Sequence, residues 1–456
     1  MAIGVADMSK AQALKLICVE EGALAAAKLD ARAQAWAEAN GFTGQRGRLL
    51  AIPGDSGAIE AWLFGTGEAA GRPALVTGLA GAQLGEGTYS LAGALGDPTL
   101  AALGFKLGAY RFDRYSKAKA QPALELGSDA DAAEVARLTE AATIARDLIN
   151  TPANDLGPDA MEREIRAFAK ARNMSVDAIV GDALLAANFP MIHAVGRASA
   201  EAPRLLDLRW GNEADPKITL VGKGVTFDTG GLDIKPASGM LLMKKDMGGA
   251  ANVLGLAHAI VDAGLKVRLR VLIPVVENAI AGAAFRPGDV LTSRLGLTVE
   301  IGNTDAEGRL ILADALALAD EESPELLLDM ATLTGAARVA LGPDLPPLYC
   351  TDDALARDLM AAGLKTDDPL WQMPLWSPYD AMMSSKIADV NNAGAGGFAG
   401  SITAALFLRR FVSKAKAWVH LDIFGWAPEA RVSRSQGGTD QATRAAYGVL
   451  RDRYSK

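Results

Sequence analysis

Lys217-Ile-Thr-Leu-Val-Gly-Lys-Gly-Val-Thr-Phe-Asp228 begins the part of the sequence that decides the fold. The residues before Gly222 are typical of a β-strand, and the glycines that follow are typical of a turn at the end of a strand. A helical pattern from Gly249 to Gly264 comes next, and an apolar run from Val267 to Val276 follows it. This alternation predicts an α/β domain, and the continuous apolar run Val271-Leu-Ile273 indicates a sheet that is covered on both faces.

Three further apolar runs continue the alternation. We predict strands from Leu297 to Ile301, from Leu326 to Met330 and from Ala417 to Phe424, and a helix from Leu310 to Glu321. Nearer the N-terminus, the apolar runs at 48–53, 58–64 and 73–79 alternate with alanine-rich helical stretches in the same rhythm. Both parts of the chain are therefore predicted to be α/β.

A long amphipathic helix separates these two parts. Its apolar residues recur at helical spacing between Ser128 and Asn150, Ser128 and Asp131 resemble a capping box, and Thr151-Pro152 ends the pattern. A chain of 456 residues is too long for one ordinary core. We predict a smaller N-terminal α/β domain at 1–126, a connecting helix at 127–150, and a larger domain at 151–456 whose mixed sheet is covered by helices on both faces.

Composition excludes several classes of protein. The formal net charge of -8 gives no general attraction for nucleic acid or for anionic lipid. Cys18 and Cys350 lie far apart without a CxxC motif, which argues against disulfides or a thiolate zinc site and favours a reducing compartment. The N-terminus lacks the pattern of a signal peptide, and no apolar stretch is long enough to span a membrane. We therefore expect a cytoplasmic protein.

The motifs that are missing narrow the chemistry. The sequence has no HExxH, no GxSxG and no Walker A loop, and it contains only three histidines. His258 lies in a helical apolar pattern and His420 lies in a predicted strand, so we expect structural roles for both. Any metal ion must therefore be held mainly by oxygen ligands.

Four acidic residues lie in two glycine-rich segments. Asp228 and Asp246 belong to the segment that begins at Val221, and the other two acids lie in Asn303-Thr-Asp-Ala-Glu-Gly-Arg-Leu310. Each segment is predicted to follow a strand end, which is where ligands collect in α/β sheets. Acids before a helix are often only caps, but four converging carboxylates repel one another unless cations are present. The combination favours a divalent metal site, for which Mn, Mg or Zn is suitable.

These segments resemble the leucyl aminopeptidase family of metallopeptidases. The octapeptide at 303–310 is the signature of that family as it stands. The resemblance extends from about Ala145, in Ala-Arg-Asp-Leu-Ile-Asn-Thr-Pro-Ala-Asn154, to about Phe424, and it includes Met330-Ala-Thr-Leu-Thr-Gly-Ala336. Over the N-terminal region we see little or no resemblance.

The resemblance implies an aminopeptidase with two divalent metal ions, Mn or Zn, with Mg and Co as further options. By similarity, Asp228 and Glu307 bridge the ions, Asp305 completes one site, and Lys223 and Asp246 complete the other. A lysine can ligate a metal only as the neutral amine, so a nearby dication must lower its pKa. The alternative is that Lys223 only pairs with the acids.

The resemblance also implies roles for two further basic residues. Lys235 is expected to stabilise the negative charge that develops when an activated water attacks the peptide carbonyl. Arg309 corresponds to an arginine that holds a bicarbonate ion, which passes a proton from the water to the leaving amine. The alternative is that Arg309 is a structural partner of nearby acids.

The substrate contacts follow from the same resemblance. The residues expected to frame the substrate backbone and its first side-chain pocket are Met243, Thr332, Leu333, Gly335 and Phe424. The family commonly has alanine where Phe424 stands. We hypothesise that this bulky ring changes the preference for the N-terminal residue.

The family implies short peptides with a free N-terminus as substrates and a homohexamer as the assembly. Three alternatives remain at this point: an inactive family member, a DNA-binding scaffold, and a metal-dependent hydrolase that acts on phosphoesters or other amides. All seven expected polar residues are present, which disfavours an inactive protein, and the negative net charge disfavours DNA binding. The signature octapeptide favours peptides as substrates.

Overall fold

The computed structural model describes residues 13–117 and 120–455. Backbone contacts divide the chain into two units. The N-terminal unit comprises Met1–Thr139 with Glu429–Ser435, and the larger unit comprises Glu140–Pro428 with Gln436–Lys456.

The N-terminal unit contains a five-stranded sheet in the order β2-β3-β1-β4-β5. Its β2–β3 pair is antiparallel, and its other pairs are parallel. Its elements are β1 (Leu14–Glu20), a 3-10 turn (Leu24–Ala27), α1 (Ala31–Ala39), β2 (Leu49–Pro53), β3 (Ile59–Gly67), α2 (Gly78–Gln83), β4 (Gly87–Gly93), α3 (Pro98–Ala109) and β5 (Pro122–Glu125).

The predicted α/β character of this unit is confirmed, with one local correction. The apolar runs at 48–53 and 58–64 form β2 and β3, but the run from Pro73 to Leu79 is a turn that leads into α2. Gly78 lies where α2 meets neighbouring backbone, because an added β-carbon would lie 2.6 Å from the Ser433 nitrogen. Only glycine, which has no β-carbon, permits that close approach.

Helix α4 (Ala132–Asn150) is the long helix that the sequence predicts, but its start differs. It begins after Asp131, whose Oδ1 accepts a hydrogen bond from the Glu134 amide at 2.9 Å. Asp131 therefore caps the helix, and the predicted start at Ser128 was wrong because an aspartate closer to the helix satisfies the free amides. The end at Asn150, before Thr151-Pro152, is confirmed.

The larger unit contains a nine-stranded mixed sheet. The strand order is β15-β14-β17-β13-β8-β10-β7-β6, and β9 pairs with the end of β10. Its elements are α5 (Pro158–Ala171), β6 (Ser175–Val180), α6 (Ala183–Ala186), α7 (Pro190–Gly196), β7 (Arg204–Trp210), β8 (Lys217–Gly222), β9 (Gly224–Asp228), α8 (Ala237–Met240), a 3-10 turn (Met243–Met247), α9 (Gly248–Asp262), β10 (Arg268–Asn278), β11 (Val290–Thr292), β12 (Thr298–Glu300), α10 (Gly308–Asp320), β13 (Leu326–Ala331), α11 (Gly335–Leu341), β14 (Pro347–Cys350), α12 (Asp353–Lys365), β15 (Trp371–Gln372), two 3-10 turns (Ser377–Met383 and Ala395–Gly397) that flank β16 (Val390–Asn391), α13 (Gly400–Arg409), β17 (Ala417–Asp422), β18 (Trp426–Ala427), β19 (Gly437–Gly438) and α14 (Thr443–Tyr454).

Helices cover both faces of this sheet, as predicted. In β8, Val221 packs into the same apolar cluster as Leu310 and Leu316 of α10. The next residue, Gly222, faces the other way, and a β-carbon there would lie 2.6 Å from the Ala250 backbone of α9. Because successive strand residues point to opposite faces, α9 and α10 lie on opposite sides of the sheet.

One predicted strand lies in a different sheet from the one expected. The strand at 297–301 forms as Thr298–Glu300, but it belongs to a separate three-stranded sheet with β11 and β16. The segment at 303–310 therefore does not follow a strand of the central sheet. Among the described residues, no helix is long and apolar enough to cross a membrane.

Candidate active site

The first part of the site lies where β8 ends at the centre of the sheet. Lys223 follows β8, and its amide donates to the Met330 carbonyl at 3.0 Å, in the neighbouring strand. The chain then shifts sideways, so that β9 pairs with the end of β10 and terminates at Asp228. This shift places the side chains of Lys223 and Asp228, which are five residues apart in sequence, at the carboxyl edge of the sheet.

The second part is the loop at 303–310, which is fixed by side chains from elsewhere. Asn392 Oδ1 accepts hydrogen bonds from the amides of Gly302 and Asn303, at 2.8 and 3.2 Å, and its Nδ2 donates to the Asn303 carbonyl at 2.8 Å. Thr304 Oγ1 donates to the Gly230 carbonyl at 2.6 Å, and its amide donates to Asp233 Oδ2 at 2.7 Å. These bonds join the two glycine-rich segments.

Lys223 lies at the centre of one group of charges. Its Nζ is 2.7 Å from Asp246 Oδ2 and 2.9 Å from Glu307 Oε1, and it donates to the Thr332 carbonyl at 3.2 Å. Gly308 lies beneath it, because a β-carbon at that position would be 2.4 Å from Lys223 Cε. The glycine of the signature octapeptide thus gives the lysine its room.

Lys235 lies at the centre of the other group. Its Nζ is 2.8 Å from Asp228 Oδ2 and also pairs with Asp305 Oδ1. The second oxygen of Asp228 accepts hydrogen bonds from the Gly230 amide and from Asn278 Nδ2, each at 2.8 Å. Asp228 is therefore held in one orientation by three donors.

Three of the four acids approach one point. One carboxylate oxygen from each of Asp228, Asp305 and Glu307 lies within 4.8 Å of the others. Glu307 is 1% exposed, and its Oε2 accepts no hydrogen bond from any residue that the structure describes. A buried carboxylate oxygen without a donor is costly unless a cation compensates it, so these residues fit a divalent metal.

The electrostatics agree with this interpretation. Burial and the neighbouring Asp228 raise the pKa of Glu307 to about 8, and the same two causes raise the pKa of Asp305 to about 6. Burial opposes ionisation of Asp246 as well, but Lys223 and Lys245 outweigh it and lower its pKa to about 2. Burial alone would lower the pKa of Lys223, yet the acids around it raise its pKa. Without metal, the two lysines thus act as the cations that neutralise the acids.

Arg309 is buried beside this cluster. Its Nη1 donates to the Asn392 carbonyl at 2.6 Å, and its Nε has no partner among the described residues. Burial lowers the pKa of Arg309 to about 10. No acid among the described residues forms an ion pair with Arg309, which is therefore a buried cation whose Nε is left to donate.

Of the residues expected to bind substrate, Thr332 contacts one of the four acids directly. Thr332 Oγ1 donates to Asp246 Oδ1 at 2.7 Å. The Leu333 amide donates to Asp422 Oδ1 at 3.0 Å, and Gly335 begins α11. Met243 begins the 3-10 turn that carries Asp246. Phe424 lies two residues beyond the end of β17, so the predicted strand to Phe424 ends earlier, at Asp422.

Sequence reasoning missed the residues that hold the site in place. Asn392, Asn278, Thr304 and Asp422 are buried polar side chains that bond to the backbone or to the acids. Thr304 lies inside the signature octapeptide, and its place there could have identified it as part of the site. No local pattern marks the other three, because each acts on residues far away in sequence. The two histidines for which structural roles were expected both contact a charged side chain. His420 Nδ1 is 2.5 Å from Asp329 Oδ1, and His258 Nδ1 accepts a hydrogen bond from Arg172 Nε at 3.0 Å.

Two protein-family models match the chain. A family model described as the catalytic domain of the cytosol aminopeptidase family matches residues 143–448. A second, described as the N-terminal domain of M17 aminopeptidases, matches residues 9–126. The N-terminal region thus also resembles the family, which the motifs alone did not reveal. A probable cytosol aminopeptidase of Xanthobacter autotrophicus is 42% identical over 77% of this chain and 74% of that protein.

Solved structures show the same likeness. The crystal structure of a cytosol aminopeptidase from Coxiella burnetii has a TM-score of 0.92 and 44% identity, and the match covers 98% of each chain. The bottromycin maturation enzyme BotP, solved in complex with Mn, has a TM-score of 0.88 and 33% identity over 98% of this chain and all of that one (100%).

Together, the fold, the acidic site and these matches define a metal-dependent aminopeptidase, a hydrolase of the metallopeptidase class. More particularly, the chain belongs to the cytosol aminopeptidase family, which confirms the resemblance drawn from the octapeptide at 303–310.

Proposed function

We propose that this protein removes the N-terminal residue from short peptides by means of a water activated by two divalent metal ions. The observation that carries the proposal is the convergence of three carboxylates around Glu307, whose buried Oε2 has no donor among the described residues. Two divalent ions, when bound, supply Lewis acidity and lower the pKa of a water molecule. Mn or Zn is proposed, with Mg or Co as further options, and the Mn complex of BotP supports Mn.

The proposed ligands are Lys223, Asp228, Asp246, Asp305 and Glu307. The lysine must lose its proton in order to ligate, and it now pairs with Asp246 and Glu307. Its ion pairs thus occupy the place that a cation would take. Binding of a metal ion at Lys223 would therefore require this lysine to give up a proton.

Lys235 and Arg309 are the proposed catalytic residues. Lys235 Nζ already lies between Asp228 and Asp305, where it can donate to the oxygen of a peptide carbonyl that gains negative charge. The Nε of Arg309, which has no partner among the described residues, can hold a bicarbonate ion that accepts a proton and delivers it to the leaving amine. Met243, Thr332, Leu333, Gly335 and Phe424 are proposed to bind the substrate.

The proposal also covers the assembly, the cellular location and the domain limits of the protein. We propose a homohexamer in the cytoplasm, and we keep the domain limits of 1–126, 127–150 and 151–456. Light scattering after size exclusion tests the assembly. Nucleic acid and membranes are not proposed as partners, and no observation favours an inactive or DNA-binding protein.

The proposal is tested by hydrolysis of a panel of aminoacyl anilides after chelation and after re-addition of single metals. We expect no turnover in the chelated enzyme and recovery with Mn or Zn. N-acetylated anilides are the matched control and should not be cleaved. Equal turnover with and without chelator would contradict the metal mechanism, and cleavage of acetylated substrates would contradict an aminopeptidase.

A further inference from the structure

Two cationic side chains lie over the ring of Phe424. Lys245 Nζ is 5.2 Å and Arg338 Cζ is 4.6 Å from the centroid of that ring. The face of an aromatic ring attracts cations, so the three side chains support one another's positions. We call Lys245, Arg338 and Phe424 the cationic wall.

Acids of the chain balance the charges of this wall only in part. Arg338 Nη1 donates to the Thr334 carbonyl at 2.8 Å, and no carboxylate of the described residues forms an ion pair with it. Lys245 is 1% exposed, and its Nζ is 3.7 Å from Asp246 Oδ1. Asp246 already accepts shorter bonds from Lys223 and from Thr332, at 2.7 Å each.

The other acid in this region is also fully engaged. Asp422 Oδ1 accepts from the amides of Leu333 and Thr334, at 3.0 and 3.1 Å. Its Oδ2 accepts from Thr334 Oγ1 at 2.6 Å and from Ser401 Oγ at 3.3 Å. The wall therefore keeps an excess of positive charge in a partly buried place, where an anionic partner is worth more than in water.

The wall adjoins the acids of the site. Lys245 precedes Asp246 in the same 3-10 turn, and Arg338 lies on α11, which begins directly after the segment that contains Thr332. Thr332 in turn bonds to Asp246. A group that binds at the wall is thus close to the reacting end of a substrate.

We propose that the cationic wall selects peptides whose N-terminal residue is acidic, glutamate or aspartate. This proposal rests on the proposed function. The carboxylate of such a side chain accepts charge-assisted hydrogen bonds from the guanidinium of Arg338, while its methylene groups pack on the ring of Phe424. Glutamine offers Arg338 a neutral amide oxygen but no negative charge, so its hydrogen bond is weaker and the buried positive charge stays uncompensated.

The test compares glutamyl and glutaminyl anilides on the Mn-loaded full chain. We expect kcat/KM to favour glutamyl by roughly 10-fold or more, which is the effect of one charge-assisted hydrogen bond. R338M should reduce the ratio to near one, and R338K should keep part of it. R357M, which alters an exposed arginine on α12, is the matched control and should retain the wild-type ratio.

A binding measurement separates this proposal from the proposed function. Calorimetry should show that glutamate γ-methyl ester hydroxamate and glutamine hydroxamate bind Mn-loaded protein more weakly than the hydroxamate with a free side-chain carboxylate, and that R338M removes the difference. If no anilide is cleaved, the aminopeptidase proposal fails while the binding comparison still decides the role of the wall. Equal binding of the charged and neutral hydroxamates by the wild type would overturn the selection of acidic residues.

Discussion

The larger unit contains two buried clusters of charged side chains that differ in one respect. In the paired cluster (Arg146, Asp368, Asp440 and Arg444), two arginines face two aspartates. In the acidic site, Lys223 and Lys235 form close ion pairs with four acids, and Lys245 lies 3.7 Å from one of these acids, Asp246, so that three lysines face four acids. The paired cluster is fully buried, and in the acidic site Lys223, Asp228, Asp246 and Glu307 are equally buried, so burial by itself does not distinguish a structural ion network from a metal site.

The partners of the carboxylates make the distinction. In the paired cluster, Arg146 Nε donates to Asp440 Oδ1 at 2.8 Å, and both oxygens of Asp368 accept backbone amides, from Ala442 and Arg444, at 2.9 Å. In the acidic site, Glu307 Oε2 has no donor among the described residues. A balanced set of charges satisfies itself, whereas an excess of acids requires a cation from outside.

The largest effect on activity is expected from Glu307→Gln. Because the amide cannot replace the carboxylate as a metal ligand, we expect kcat/KM to fall on the order of 1,000-fold. Without metal, the same variant should be as stable as the wild type or more stable, since an acid whose ionisation burial and Asp228 oppose is replaced by a neutral amide. Calorimetric titration with Mn and thermal unfolding in chelator measure the two effects. A metal-free variant that unfolds well below the wild type would contradict the comparison.

Arg444→Met should have the opposite effects: it should lower the stability of the fold and leave metal binding unchanged. Removal of this arginine leaves Asp440 with one cation fewer, and we expect unfolding to cost about 3–5 kcal/mol less. The variant should still bind Mn when folded, because the paired cluster supplies no ligand to the site. Urea unfolding and Mn titration at low temperature test this. A large loss of Mn affinity in the folded variant would show that the two clusters are coupled.

A smaller effect is expected from Asn392→Ala. This residue holds the loop at 303–310 without belonging to the proposed ligands, and loss of such support typically costs about 10- to 100-fold in metal affinity or activity. Asn391→Ala, one residue earlier, is a useful comparison because its Oδ1 accepts from the Ala393 amide and not from the loop. Equal losses in both variants would mean that the effect is only local destabilisation.

The smallest effect concerns a third kind of buried acid. Asp314 accepts amides from Met191, Ile192 and Arg294, at 2.9, 3.2 and 2.8 Å, and burial raises its pKa to about 7 despite these donors. Its pKa is higher in the folded state than in the unfolded state, so the folded state holds the proton more tightly. Stability contributed by Asp314 should therefore fall as pH rises from about 4 toward 7. The slope of unfolding free energy against pH in this window should decrease in Asp314→Asn, and an unchanged slope would exclude Asp314 as its source.

Much of the fold could be predicted from the sequence. The strands at 217–222 and 326–331 and the helices at 248–262 and 308–320 form close to the predicted limits, because long apolar runs specify both their type and their burial. The errors lie where local signals compete. Asp131 replaces Ser128 as the helix cap, and the run from Pro73 to Leu79 forms a turn and a helix instead of a strand.

In the candidate site, too, some residues could be predicted from the sequence and others could not. The acids and lysines stand in two short segments whose composition already indicates a cation site. The supports from Asn278, Asn392 and Asp422 could not be predicted, since each makes contacts between positions that are distant in sequence. The two cations over the ring of Phe424 could not be predicted either, because the sequence shows this residue only as a bulky one.

By itself, the sequence determined the α/β class, the family and the set of acidic and basic residues that hold the chemistry, because these depend on local patterns and on residue type. Only the tertiary structure decided that Glu307 keeps an oxygen without a donor and that Phe424 carries two cations over its ring. Whether a buried charge is satisfied depends on which distant groups the fold brings within hydrogen-bonding distance. For that reason the same residue types form a structural network in one place and a site for metal in another.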